Sequence, residues 1–163
     1  MWYVIWTSTG SERKTCEAVS SKVKRAFVPT KTVAKKTEGK WSETDKPLFP
    51  GYLFADTDDI DSLSAFLWKM EGFGKVLDTE REIYPIYGDE EEFVERLYER
   101  GGSFDLSTGY IEGERIVITS GPLKGMEGLI RKIDRHKRTA YLRLSFFERE
   151  IMTSVGLEIT EKK

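Results

Sequence analysis

Ser120-Gly121-Pro122-Leu123-Lys124-Gly125-Met126-Glu127-Gly128, continued by Leu129-Ile130-Arg131-Lys132-Ile133-Asp134-Arg135-His136-Lys137-Arg138, decides how the second half of this chain folds. The glycines and the proline let the backbone turn where a side chain at positive φ would clash. Five of the eight residues from Arg131 to Arg138 are Lys or Arg, so a β-hairpin built here would end in positive charge able to track phosphates. Around it the pattern predicts short strands at 115–119, 128–134, 139–144, 150–153 and 157–160. So many short strands in one small segment imply a barrel, which leaves no long unpaired edge. Within 139–144, alternation sets Ala140, Leu142 and Leu144 on one face and Tyr141 and Arg143 on the other. An aromatic ring and a cation on one outer surface suit bases and phosphates. The candidate RNA-binding residues are therefore Lys124, Arg131, Lys132, Arg135, His136, Lys137, Arg138, Tyr141 and Arg143. A merely solvated tip is the plainer alternative.

The totals are consistent with two modules. A chain of 163 residues holds one ordinary domain or two small ones. Its net charge of −2 argues against coating nucleic acid with the whole surface. The charge is unevenly spread: from Gly113 onward eleven Lys and Arg face seven Asp and Glu, a net of +4, which leaves −6 for residues 1–112. An acidic front and a basic rear imply two different partners. Cys16 is the only cysteine, so neither an intramolecular disulfide nor a cysteine-based zinc site can form. No signal-peptide pattern or membrane-length apolar run is present. A cytoplasmic, monomeric protein without metal or cofactor and without a membrane partner is expected.

In the first half, Trp2-Tyr3-Val4-Ile5-Trp6-Thr7 reads as a buried strand. Cys16, Val19, Val23 and Phe27 recur at helical spacing, so a helix is expected from Glu12 up to Pro29. A strand at 30–34 leads into a polar segment, 35–46, that reads as a protruding hairpin or a mobile loop around Gly39. Residues 48–54 return as a strand interrupted by Pro50-Gly51, a pair that marks a bulge or an edge. Asp58 or Asp59 caps a helix carrying Leu63, Phe66, Leu67 and Met70. A strand at 75–77 and a helix from Asp89 with Phe93, Val94, Leu97 and Tyr98 complete the half. The run of Gly, Ser, Thr and Asp at 102–112 reads as a linker.

Several enzymatic motifs fail. Gly121, Gly125 and Gly128 have neither dinucleotide-fingerprint spacing nor a phosphate-loop ending. A calcium loop starting at Asp56 would have Asp61 in its glycine position and Leu67 in its glutamate position. His136 lies among cations and Cys16 on the apolar stripe of a helix, so neither suits catalysis, and the chain is expected not to be an enzyme.

The Gly-Pro-Leu-Lys-Gly segment at 121–125 and its hairpin resemble a KOW motif, the barrel module of the NusG family, with wording nearest the LoaP branch. The order β-α-β-β-α-β-α of the first hundred residues resembles that family's ferredoxin-like N-terminal (NGN) domain. The resemblance implies an α+β protein: an NGN domain at 1–101, a linker at 102–112 and an SH3-like KOW β-barrel at 113–163. It also implies that Phe49, Pro50, Gly51 and Tyr52 match a family motif that grips the β′ clamp helices of RNA polymerase. Both rings could equally be core. Strand alternation sends 49 and 52 to opposite faces unless Pro50-Gly51 bulges. Ser145-Phe146-Phe147-Glu148-Arg149 matches a family loop that contacts ribosomal protein S10 or Rho, through Phe146, Phe147 and Arg149. Glu148 stands where that loop has Gly, which weighs against either contact. The implied function is specialised transcription elongation in processive antitermination, with RNA polymerase and a nascent RNA hairpin as partners. A general NusG coupling transcription to Rho or the ribosome, and a ribosome-associated KOW protein, are the alternatives.

Overall fold

The computed structural model describes residues 1–70, 83–146 and 149–163; the strand expected at 75–77 lies outside them. The chain divides into two compact units, Met1–Pro29 with Phe49–Gly102, and Thr30–Leu48 with Ser103–Lys163. The fold is mixed α+β.

The first unit holds β1 (Trp2–Trp6), α1 (Glu12–Ser20), β2 (Arg25–Phe27), a later strand at Tyr52–Asp56, α2 (Ile60–Lys69), a strand at Ile83–Pro85 and α3 (Gly88–Glu99). The elements of the second unit that intervene in sequence are β3 (Thr30–Thr37) and β4 (Lys40–Pro47), so Tyr52–Asp56 is β5 and Ile83–Pro85 is β6. The sheet runs β2-β5-β1-β6 with every neighbour antiparallel. One sheet face is covered by Val19 of α1 and by Leu63 and Leu67 of α2, which bury Ile5, Leu53 and Ala55. On the other face Trp2 and Phe54 meet Phe27 and Tyr98 in a ring cluster with centroids 5.4–5.6 Å apart. Asp59 supplies the α2 cap, accepting from the Ser62 amide at 3.1 Å.

Helix α1 is shorter than the apolar spacing predicts. The Ser20 and Ser21 hydroxyls bond back to the carbonyls of Cys16 and Ala18, and the Lys22 amide closes on Val19. Residues 25–27, expected in the helix, form edge strand β2 instead, which brings Arg25 beside Asp56.

The second unit contains β3, β4, β7 (Ser103–Phe104), β8 (Ser107–Glu112), β9 (Arg115–Ser120), a 3-10 turn at Glu127–Leu129, β10 (Ile130–Asp134), β11 (Thr139–Phe146) and β12 (Arg149–Lys162). Its main sheet runs β10-β11-β12-β8-β9 around buried Ile118, Leu123, Ala140, Leu142, Leu144, Val155 and Leu157. The stretch expected to be a linker, 102–112, instead contains β7 and β8, and β8 pairs with both β12 and β9. Its Ser, Thr and Gly content misleads because Ser107 is wholly buried, where its hydroxyl accepts from the Leu123 amide, and Gly109 lies against β9. The two strands expected at 150–153 and 157–160 are one continuous strand, β12.

The segment 30–48, expected within the first module, belongs to the second unit. Strand β3 pairs in parallel with β7, and Lys31 donates to the Ser154 hydroxyl at 3.0 Å. It forms the hairpin that the polar composition allowed, closed by Glu38 at φ 52° and Gly39 at φ 79°. Two successive positive φ values are those of a type I′ turn, whose twist suits a two-residue hairpin.

The quoted Gly-Pro turn rests on β8. Gly121 has φ 97°, and a Cβ there would lie 2.5 Å from Ser107 Cα, whereas at Gly128 a Cβ meets nothing within 4 Å. Gly121→Ala therefore displaces backbone and is expected to cost at least about 2 kcal/mol, while Gly128→Ala stays within about 0.5 kcal/mol. Urea unfolding of both variants checks this, and equal costs would refute the close approach.

Candidate functional site

The Phe49-Pro50-Gly51-Tyr52 segment is a β-turn and not a bulge within a strand. The Tyr52 amide donates to the Phe49 carbonyl at 3.0 Å, and Gly51 has φ 90°. Pro at the second and a positive φ at the third position are the pattern of a type II turn. The turn is held from below by Glu12, itself only 5% exposed. One Glu12 oxygen accepts from the Gly51 amide at 2.7 Å and the other from the Gly10 amide at 2.9 Å. The Gly51 carbonyl in turn accepts from Thr7 at 2.8 Å. A Cβ on Gly51 would lie 3.1 Å from both the Thr7 carbonyl oxygen and Trp6 Nε1, so the indole packs directly on the turn.

This geometry separates the two rings. Phe49 is 4% exposed and packs edge-to-face on Phe54, so its side chain is core. Tyr52 is half-buried and sits directly opposite half-buried Trp6 in the β1–β5 ladder, with Pro50 exposed beside them. Trp6 was not singled out from sequence, although β1 alternation places it on the face of Trp2 and Val4. The surface brought together is Trp6, Pro50 and Tyr52.

The far end of the same sheet face is closed by charge. Arg25 pairs with Asp56 at 2.9 Å and with Glu95, and its guanidinium lies 4.6 Å from the Trp2 ring and 5.1 Å from the Tyr98 ring. Trp2 Nε1 donates to Glu95 at 2.6 Å. The Arg25 hydrogen bond, then the Trp2 N–H, hold the Glu95 carboxyl below the usual carboxylate range.

In the second unit, Lys132 of β10 faces Tyr141 of β11, with its ammonium 6.0 Å from the ring. Alternation on β11 is as expected: Ala140, Leu142 and Leu144 are buried, and Arg143 is exposed. The tip is shaped by Asp134, whose carboxylate accepts from the Lys137 amide at 3.0 Å. Lys124, Arg131, Lys132, Arg135, His136 and Lys137 are all exposed. Arg131 also donates to the Gly128 carbonyl at 2.9 Å, and Arg143 lies 3.7 Å from Glu150, a solvent-facing pair that binds weakly. Arg138 differs from the rest. Its guanidinium stacks 4.1 Å from the Trp41 ring and lies 3.7 Å from Glu158, so it ties the β3–β4 hairpin to the β10–β11 tip. No cue in the sequence links Trp41 to residue 138, because the contact spans the fold.

Phe146 and Arg149 pair as the last rungs of β11 and β12; Phe147 lies outside the described residues. Burial pushes the Cys16 thiol up, which suits a packing residue. Among the described residues no cluster of His, Cys, Asp and Glu could hold a metal, and no helix is long and apolar enough to cross a membrane.

Residues 1–96 match the family model described as "Transcription termination factor nusG". A transcription termination/antitermination protein NusG of Campylobacter jejuni is 24% identical, covering 99% of this chain and 96% of its own. The protein of that name from Lactococcus lactis is 27% identical over 85% of this chain and 80% of its own. A solved structure described as "Domain interaction in Thermotoga maritima NusG" aligns over 97% of this chain and 93% of its own, at TM-score 0.56 and 21% identity. These similarities define a transcription termination/antitermination factor. The chain belongs to the NusG family.

Glu12→Ala leaves two amides without their acceptor and is expected to cost about 2–4 kcal/mol, with Glu12→Gln costing less because one oxygen remains. Urea midpoints distinguish them; an unchanged Glu12→Ala midpoint would refute the clamp. Because the Glu95 carboxyl is depressed in the fold, its contribution is present above the unfolded carboxylate pKa of about 4.3 and is lost as pH falls through the lower folded value. Wild type should therefore lose more stability between pH 6 and pH 3 than Glu95→Gln does, measured by urea unfolding across that range.

Proposed function

We propose that this chain is a specialised NusG-type elongation factor acting in processive antitermination. The observation that carries this reading is the β10–β11 surface. Lys132, Arg135, His136 and Lys137 are exposed beside Tyr141, and none of them has a carboxylate partner among the described residues. Cations left unneutralised on a rigid hairpin attract phosphate, and an adjacent ring stacks on an unpaired base. A structured RNA hairpin offers both a shaped backbone and splayed loop bases, so a nascent RNA hairpin is the target this surface fits. In this reading residues 113–163 act as a KOW barrel and residues 1–101 as the NGN domain. Lys124, Arg131 and Arg143 extend the RNA surface, and Arg138 positions it.

The first unit docks on the β′ clamp helices of RNA polymerase through Trp6, Pro50 and Tyr52. Phe49 and Gly51 set the turn that presents them. Large rings bury much apolar area for little lost rotamer freedom, which makes them effective interface anchors. A factor that binds the elongating conformation better than the paused one shifts the polymerase towards elongation without covalent chemistry. Two contacts carried by one chain raise each other's effective concentration, so recruitment favours transcripts that contain the hairpin. The names of the similar proteins, termination/antitermination proteins NusG, suit a second reading, a general NusG; in that reading Phe146, Phe147 and Arg149 would be the residues that couple transcription to Rho or to the ribosome.

In the full chain, Lys132→Ala/Arg135→Ala/Lys137→Ala should reduce affinity for the leader RNA hairpin and flatten its log–log salt slope by about 2 to 3. Unchanged affinity by gel shift removes the specialised reading in favour of the general one. Trp6→Ala/Tyr52→Ala should lower polymerase retention in pull-down at least about tenfold, as expected for losing two anchors. Full retention would refute docking through this turn.

A further inference from the structure

The β3–β4 hairpin divides its charges between two faces. Its register sets Lys31 opposite Lys46, Val33 opposite Thr44, Lys35 opposite Ser42 and Thr37 opposite Lys40. Side chains of one rung share a face and alternate rungs share the same one. One face therefore carries Lys31, Lys35, Lys40 and Lys46 with no acid, while Glu43, Asp45, Lys36 and Trp41 take the other. Lys35, Lys40 and Lys46 are exposed, and none of them has a carboxylate partner among the described residues. Lys31 and Lys46 stand directly opposite each other, an arrangement that destabilises a hairpin unless an anion relieves it. Among the described residues the Lys31 ammonium bonds neutral oxygens of Ser154, and burial, then Lys46, hold it below the usual lysine range.

The root of the hairpin is fixed. Strand β3 pairs with β7 and Thr153 Oγ1 donates to the Leu48 carbonyl at 3.1 Å there, while at the turn end Trp41, one rung from the closing pair, stacks on Arg138. The lysine face is thus presented on a ribbon anchored to the second unit and stiffened by its I′ turn. Strand residues four apart are about 13 Å apart, so the lysines form two spaced pairs along the ribbon and not one point. Lysine is a point charge without the planar fork that reads bases, so such a face suits a backbone more than a sequence.

We propose that the lysine face of the β3–β4 hairpin is a second, sequence-independent nucleic-acid site that contacts the phosphate backbone. Its lysines are none of the residues assigned to RNA-hairpin binding, so it stands whether or not that assignment holds. The test is the full chain against Lys35→Gln/Lys40→Gln/Lys46→Gln, titrated with a random-sequence DNA duplex and with an unstructured RNA at several salt concentrations. The substitutions are at exposed positions, and circular dichroism verifies the fold. Losing three phosphate contacts should flatten the duplex salt slope by about 2 to 3. Flattening on the RNA alone supports the site and assigns it to the transcript. No binding by wild type, or equal slopes for variant and wild type on both probes, overturns the proposal. Arg135→Gln/Lys137→Gln, measured against the leader hairpin, reports separately on the tip.

Discussion

The Glu12 carboxylate is the contact on which the first unit's candidate surface depends. A buried carboxylate is costly unless its oxygens are satisfied, and here each one accepts a backbone amide. Those amides belong to Gly10, just before α1, and to Gly51, at the turn before β5. One side chain thereby fixes the strand–helix connection and the Pro50-Gly51 turn as a single piece. The consequence is positional: Trp6 lies on Gly51 and Tyr52 opposite Trp6, so both rings keep their place without either being wholly buried. The first helical residue is thus engaged in holding a turn that sends Phe49 into the core and leaves Pro50 exposed.

Charge has two different uses in this molecule, and which cations are paired shows the difference. Arg25 is held by Asp56, Glu95 and two aromatic faces, and closes one end of the sheet as structure. Arg138 is held by Trp41 and Glu158. Lys132, Arg135 and Lys137 at the tip and Lys35, Lys40 and Lys46 of the hairpin have no carboxylate partner among the described residues. An unneutralised cation contributes little to folding, and several on one side raise self-repulsion. Their placement on the two hairpins is therefore not accounted for by folding stability.

What the sequence made legible follows from range. Alternation and turn chemistry act over two to four residues, so β11's two faces, the α2 cap at Asp59 and the Gly-Pro turn were readable. The helix expected through Phe27 failed because Val23 and Phe27 keep helical spacing while tertiary pairing with β5 claims residues 25–27 for an edge strand. The stretch 102–112 looked like a linker because Ser107 and Gly109 are polar or small. Burial of Ser107 and the close approach of Gly109 to β9 are contacts with residues distant in sequence. Phe49 and Tyr52 could not be separated by residue type; the i to i+3 bond across Pro50-Gly51 separates them.

The Arg138–Trp41 stack explains why the two hairpins of the second unit should be considered together. Arg138 sits at φ 50°, a conformation that costs a non-glycine residue about 1–2 kcal/mol. Its carbonyl accepts from the Leu157 amide at 2.9 Å while its side chain crosses to Trp41. A glycine would relieve the strain but could not reach the ring. Arginine at this position therefore adds, at the turn end, a tie between the β3–β4 hairpin and the β10–β11 tip to the contacts that hold its root.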